Sequence, residues 1–185
     1  MRKNFGAKPY LYPQPVLIVA AYGDDGVPNA MNVAWGGMIE SNKISMCVGS
    51  NHKTVKNILS AGAFTIGVGT VPKVVSCDYV GIVSGNDESN KLEKAGFTVT
   101  KSEFVEAPII NELPMCIECR LLSYSEETSQ LIGEIMNVNA DESILTDDVI
   151  DNKKLQAIMY DPISHQYLKV GESVGHAFEV GKNIH

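Results

Sequence analysis

The sequence predicts a mainly β protein, a β-barrel of short strands with helices inserted between them, and three observations carry that prediction. Apolar and β-branched runs of strand length recur at residues 16–22, 29–35, 44–49, 63–68, 115–124, 130–139 and 165–170. Glycine-containing turns, such as residues 23–28 and Gly62, separate several of them. The helical segments between the runs are short and irregularly placed, which does not match the alternation of a doubly wound sheet. No G-x-G-x-x-G occurs, so nothing marks a Rossmann nicotinamide site.

Each element has its own signal. Residues 1–15 hold aromatics and the prolines Pro9, Pro13 and Pro15, and read as an irregular arm packed on the body. Val16-Leu17-Ile18-Val19-Ala20-Ala21-Tyr22 is the continuous apolar run of a buried strand. Gly23-Asp24-Asp25-Gly26-Val27-Pro28 is a turn, so the strand at 29–35 completes a hairpin. A third strand covers 44–49. Ser50 or Asn51 then caps a short helix over about residues 52–59, with Val55, Ile58 and Leu59 on its apolar face. Gly62 breaks that helix, and 63–68 is the fourth strand. A helical segment over 73–79 leads into a glycine-punctuated loop at 81–90, and a short helix over 88–95 is ended by Gly96. The second half returns to strands at 115–124, 130–139 and 165–170, while the polar stretch 147–156 fits a loop or a helix.

At 185 residues the chain buries one sizeable core and is read as a single domain, 1–185. With 44% hydrophobic and 20% charged residues it has the composition of a soluble globular protein. The net charge of −7, with no Lys/Arg-dense stripe, argues against nucleic acid and against an anionic membrane surface. No apolar stretch approaches the ~20 residues that span a bilayer. The short apolar run at 16–21 lies behind Pro13 and Pro15 and is not a secretory signal, so the cytoplasm is the expected location. Of the four cysteines, Cys116 and Cys119 form a C-x-x-C. It falls in a predicted strand, where positions i and i+3 face opposite sides, and it lacks both a helix start and a second ligand pair. A redox pair or a metal site is therefore not expected there.

The chemistry concentrates in two segments. Asn29-Ala30-Met31-Asn32-Val33-Ala34-Trp35-Gly36-Gly37 holds the only Trp beside two glycines, and Ser50-Asn51-His52-Lys53-Thr54-Val55-Lys56 is a hydroxyl- and amide-rich turn opening a basic helix. Free amides, a hydroxyl and cations at a helix start suit a phosphate, and an indole beside glycines suits a flat ring. Together they point to a phosphorylated, ring-bearing cofactor. Ser50 and Thr54 equally fit a role confined to the helix start, Trp35 fits a core position, and Lys91 fits a solvated helix lysine. Asp78 either orders the loop that follows it or lies at the surface. Glu118 is either buried and paired, with Arg120 or a partner chain, or solvent-facing. His52, His165 and His176 are scattered without metal-ligand spacing, and no nucleophile elbow occurs.

An ordered set of segments resembles the flavin reductase-like family with the FMN-binding split barrel, and within it the flavoredoxin-like branch. The matching pieces are Tyr12-Pro13-Gln14-Pro15-Val16, then 26–35, 52–58, 77–85 and 91–97, then Ala107-Pro108 through Glu118-Cys119-Arg120-Leu121, and finally 167–172. The resemblance implies a six-stranded antiparallel split barrel, a homodimer, and FMN at or near the dimer interface. It also implies cofactor contacts at Asn29, Ala30, Met31, Asn32, Trp35, Ser50, Asn51, Thr54 and Lys91, and no catalytic side chain. Where many relatives carry an arginine or a serine, this chain has His52-Lys53. The implied activity is a flavin reductase passing hydride or electrons between a nicotinamide donor and flavin. The alternatives are a flavoredoxin-like carrier that holds FMN tightly and serves a protein redox partner, and a barrel for a non-flavin ligand.

Overall fold

The computed structural model describes residues 1–184. The arm is irregular except for β1 (Gln14–Pro15), and the hairpin of β2 (Leu17–Tyr22) and β3 (Pro28–Val33) follows it. Then come β4 (Gly36–Glu40), β5 (Lys43–Cys47), α1 (Lys53–Ala61), β6 (Ala63–Val68), α2 (Val74–Ile82) and the single turn α3 (Lys91–Lys94). A small hairpin, β7 (Val99–Lys101) with β8 (Pro108–Ile110), precedes the two longest strands, β9 (Met115–Ser125) and β10 (Gln130–Ala140). The chain closes through β11 (Leu145–Thr146), β12 (Val149–Ile150), the turn α4 (Asn152–Leu155), β13 (Ile158–Asp161) and β14 (Gln166–Lys169).

The main sheet is antiparallel throughout, in the order β3-β2-β6-β9-β10-β5-β4. Its outermost strands, β3 and β4, are joined in the chain by Ala34 and Trp35 alone. Such a link reaches only roughly 10 Å, so the sheet must curl until its two edges meet. The Trp35 carbonyl accepts from the Cys47 amide at 2.8 Å and pins that crossing to β5. Taken as one bent strand, β3 and β4 complete a six-stranded barrel that is split at Ala34-Trp35. Bulges in β10 opposite β9 strengthen the curl.

Two apolar clusters hold this shape. The first fills the barrel with Val19, Phe64, Ile66, Leu131, Met46 and Val33, sealed by Val55 and Ile58 of α1. The second lies on the outer face of β2 and β3, where Ile18, Ala20 and Ala30 meet Cys77 and Val80 of α2, Leu92 of α3 and Ile158. Helix α1 ends as its sequence predicts: Gly62 sits at φ 69° in the left-handed region, and its amide bonds to the Ile58 carbonyl.

Several elements depart from the sequence reading. The segment after Trp35 forms β4, and β7, β8 and β13 are further strands that no alternation announced. The arm contributes β1 to a small sheet with β13 and β14. Helix α2 runs through Gly81 to Ile82, and the helix expected at 88–95 is only the turn α3. Glu118 is buried but does not pair with Arg120, which bonds Glu134 at 2.5 Å. Glu118 instead accepts from Asn137 at 2.7 Å, from Asn139 at 2.8 Å and from the Ser102 hydroxyl. Cys116 and Cys119 are both free and buried on β9, and burial pushes each thiol up to about 12. Neither offers a thiolate at neutral pH. Among the described residues no helix is long and apolar enough to cross a membrane.

Candidate functional site

Among the described residues, β3 carries no strand on its outer side. A cavity of about 420 Å³ runs along that open edge, between β3, the start of α1, the end of α2 with its following loop, and Lys91. Because the cavity follows an edge, residues from both faces of β3 reach it: Asn29, Met31 and Val33 from one, Asn32 from the other.

One end is built for an anion. The first turn of α1 presents His52, Lys53 and Thr54, and no side chain caps its amides. The helix start is thus left with free N–H groups and a positive dipole end. Thr54 is buried, and its Oγ1 accepts from Asn29 Nδ2 at 2.6 Å. That bond leaves the threonine proton free to donate into the cavity. Lys91 reaches the same space from α3. It is only 3% exposed and makes no ion pair among the described residues. Burial holds its amine down at about 8, against an ordinary value of 10.5. A buried, uncompensated ammonium is costly, and an anion in the cavity removes the cost.

The loop after α2 closes this end. A Cβ at Gly85 would lie 2.2 Å from Asn29 Oδ1, and one at Gly81 would lie 3.0 Å from the Asn32 Cβ. Glycine at these two positions lets α2 and its loop come down onto the two asparagines.

The other end is open and apolar. Trp35 lines it and is 56% exposed, beside Ala34, Cys47 and Val48. Past Ala34, Trp35 and Cys47 the surface continues into a second hollow of about 710 Å³, bordered by Gln14, Gly36, Gly37, Met38 and Ile39.

Of the residues expected to hold a cofactor, the structure brings Asn29, Met31, Asn32, Trp35, Thr54 and Lys91 to the cavity wall. Ala30, Ser50 and Asn51 are not part of that wall. The Ala30 methyl is too short to reach round the strand and packs in the second cluster. Ser50 turns outward and donates to Glu126 at 3.2 Å, while the Asn51 carbonyl accepts from Asn86. The expected cap is also absent, since His52 occupies the N-cap position. Trp35 is not core and Lys91 is not solvated. Of the two glycines after Trp35, Gly36 serves packing, since a Cβ there would lie 2.9 Å from Met46, whereas a Cβ on Gly37 would meet open space. Tyr167 stands behind the wall, bonded to Asn32, and spacing could not reveal it, because it lies on β14 far along the chain.

A curled antiparallel sheet, split where an exposed indole stands at one end of a cavity and a buried lysine at the other, defines a split-barrel flavoprotein. The flavin reductase like domain matches residues 10–159, and the chain belongs to that family. It is similar to the flavoredoxin of Desulfovibrio vulgaris (Miyazaki F), with 39% identity over 98% of this chain and 100% of that one and a TM-score of 0.93. It is also similar to the flavoredoxin of Methanosarcina acetivorans, with 27% identity over 98% and 97% of the two chains and a TM-score of 0.86. An FMN-binding domain of a flavin reductase-like enzyme from Shewanella baltica OS155 shares the fold at 22% identity and a TM-score of 0.78, covering 88% and 89% of the chains. The donor set fits a flavin that carries one phosphate, and FMN is the cofactor. Thr54, Lys91, Lys53 and the α1 amides suit the phosphate end; Asn32, Met31 and Trp35 suit the ring end.

Proposed function

We propose that the protein is an FMN-dependent oxidoreductase that keeps its flavin bound throughout the reaction and exchanges electrons at the ring edge beside Trp35. The observation that carries this reading is the contrast along the cavity, one end buried around Thr54 and Lys91 and the other exposed at Trp35, which suits the phosphate and the ring respectively. A flavin that leaves as product is not expected to sit on a buried, unpaired lysine. Bound FMN supplies the hydride- and electron-accepting chemistry. The chain's part is to bind and orient, with Thr54 and Lys91 anchoring one end and Asn32 facing the other. No side chain is needed as acid or base for hydride transfer, so a nicotinamide donor is the first reading. A protein redox partner in its place is the second, favoured by the similarity to two flavoredoxins and by the apolar, open rim at Trp35, Met38 and Ile39.

We further propose a homodimer. Strand β10 outruns β5 beyond Glu134, which leaves its edge unpaired beside exposed Met136 and Val138, and Met38 and Ile39 lie exposed on edge strand β4. Exposed apolar edges of this kind are sites of association. The unpaired cysteines suit a reducing compartment, and we place the protein in the cytoplasm.

The test is anaerobic mixing of the purified holoprotein with NADH or NADPH, followed by gel filtration. Bleaching of the flavin bands by a nicotinamide, with FMN still co-eluting with protein, is the expected result. Retained FMN that only a chemical reductant bleaches selects the carrier reading. FMN that elutes free after turnover overturns the fixed-flavin proposal.

A further inference from the structure

Asn32 is the one polar side chain of the ring end whose hydrogen bonds are fixed from behind. Its Nδ2 donates to the Cys77 carbonyl at 3.2 Å and to Tyr167 Oη at 3.3 Å. Tyr167 in turn donates to Asp78 Oδ1 at 2.8 Å. Chemistry sets the direction of every link. A carbonyl only accepts, so the amide nitrogen of Asn32 must face Cys77. Tyr167 has one proton and gives it to Asp78, so toward Asn32 its oxygen offers only lone pairs. An amide turned the other way would set Oδ1 against two acceptors. Burial first, and then the bond to Asp78, pushes the Tyr167 hydroxyl up from its ordinary pKa, so it stays protonated across the working range. Helix α2 presses on Asn32 at Gly81 and holds the backbone distance.

Both amide protons are therefore committed, while Oδ1 has no hydrogen-bond partner among the described residues, and Asn32 lines the cavity. We propose that Asp78 and Tyr167 are positioning residues that lock the Asn32 amide with its oxygen toward the cavity, where it accepts an N–H of the flavin ring. The inference rests on FMN being the occupant. An isoalloxazine presents both N–H and carbonyl groups along its polar edge, and an amide free to turn would serve either. A locked acceptor discriminates, because a carbonyl placed opposite it is repelled. Asp78 and Tyr167 thus shape the register of the ring without touching it.

The test is a double-mutant cycle on FMN affinity, read by the loss of flavin fluorescence on titration into FMN-free protein. Tyr167→Phe removes one of the two bonds that hold the Asn32 amide, leaving the one to the Cys77 carbonyl, and is expected to weaken FMN about fivefold. In an Asn32→Ala background the same change is expected to have almost no effect, because the amide it positions is gone. Equal losses in both backgrounds, or no loss in the native background, overturn the proposal and make Tyr167 a packing residue. Asp78→Ala, which keeps the tyrosine and frees its proton, carries the same comparison should Tyr167→Phe fail to fold. Failure of the unsubstituted protein to bind FMN overturns the cofactor reading instead, so the two failures are distinct.

Discussion

The two ends of the cavity are built on opposite principles. At the α1 end, Asn29, Thr54 and Lys91 are buried, each held by packing or a short hydrogen bond, and the loop at Gly85 leaves no room for a side chain. At the split, Trp35 is more exposed than covered, Cys47 is exposed, and the wall opens into a second hollow. A dry, preorganised end makes each polar contact strong and the bound state long-lived, whereas an open end gives a reaction partner access. The lesson is that one edge strand can serve both needs, because the closure of the barrel at Ala34-Trp35 separates them along its length.

The largest expected effect breaks the buried end. Thr54→Ala with Lys91→Ala removes two charge-assisted or phosphate-directed contacts, each worth on the order of 1.5–3 kcal/mol. FMN affinity is expected to fall by at least about two orders of magnitude, measured by titration of FMN-free protein. Unchanged affinity would remove the phosphate from this end.

The pH dependence sharpens the same point. In the free protein Lys91 loses its proton as pH passes about 8, whereas a phosphate beside it holds the proton on. FMN affinity is therefore expected to be flat just below pH 8 and to fall above it, by up to about tenfold per pH unit. The unfolded lysine titrates at its ordinary 10.5. Between 8 and 10.5 the unfolded state holds the extra proton, so the stability of FMN-free protein rises with pH across that window. Lys91→Met is expected to abolish both dependences. At neutral pH it also stabilises the FMN-free protein by roughly 1–2 kcal/mol, since it removes a buried unpaired charge. Thermal melts with and without FMN check the opposite signs.

A smaller effect follows at the lid. Gly85→Ala places a methyl group on Asn29, so the loop or the asparagine must shift. The expected cost is about 1–3 kcal/mol in FMN binding, with the strands unaffected by far-ultraviolet circular dichroism.

The barrel strands were legible because each carries its own signal. β2 is an unbroken apolar run, and β6, β9 and β10 carry β-branched and apolar residues between turns. β4 was not legible. It begins with two glycines and exposes Met38, Ile39 and Glu40, so it has no alternating face and exists only because β5 pairs with it. β7, β8 and β13 are three or four residues long and depend on partners in the same way. Within the site, Thr54 was legible as a hydroxyl at a helix start. The burial of Lys91 was not, because a loop and a strand far from it in sequence create that burial. Ala30 was expected from the resemblance alone, and its side chain packs in the second apolar cluster instead of on the cavity wall. The Asp78–Tyr167–Asn32 chain joins three separate elements, so spacing could never assemble it.

The smallest effect on affinity, and the sharpest on fluorescence, belongs to the open end. Trp35 is the only tryptophan, so its emission reports on one place in the protein. If the flavin ring lies against it, adding FMN quenches that emission in parallel with the flavin's own. The exposed indole covers the ring with only part of its area, so Trp35→Ala is expected to cost about 1 kcal/mol or less of binding. That is well below the loss at the Thr54 and Lys91 end. The same change is expected to restore much of the bound flavin's fluorescence, because a nearby quencher has gone. A loss of affinity as large as that of the double variant would mean that Trp35 anchors the cofactor, and the division of labour between the two ends would fail. Unaltered fluorescence with unaltered affinity would place the ring away from the split and move the exchange of electrons to another edge.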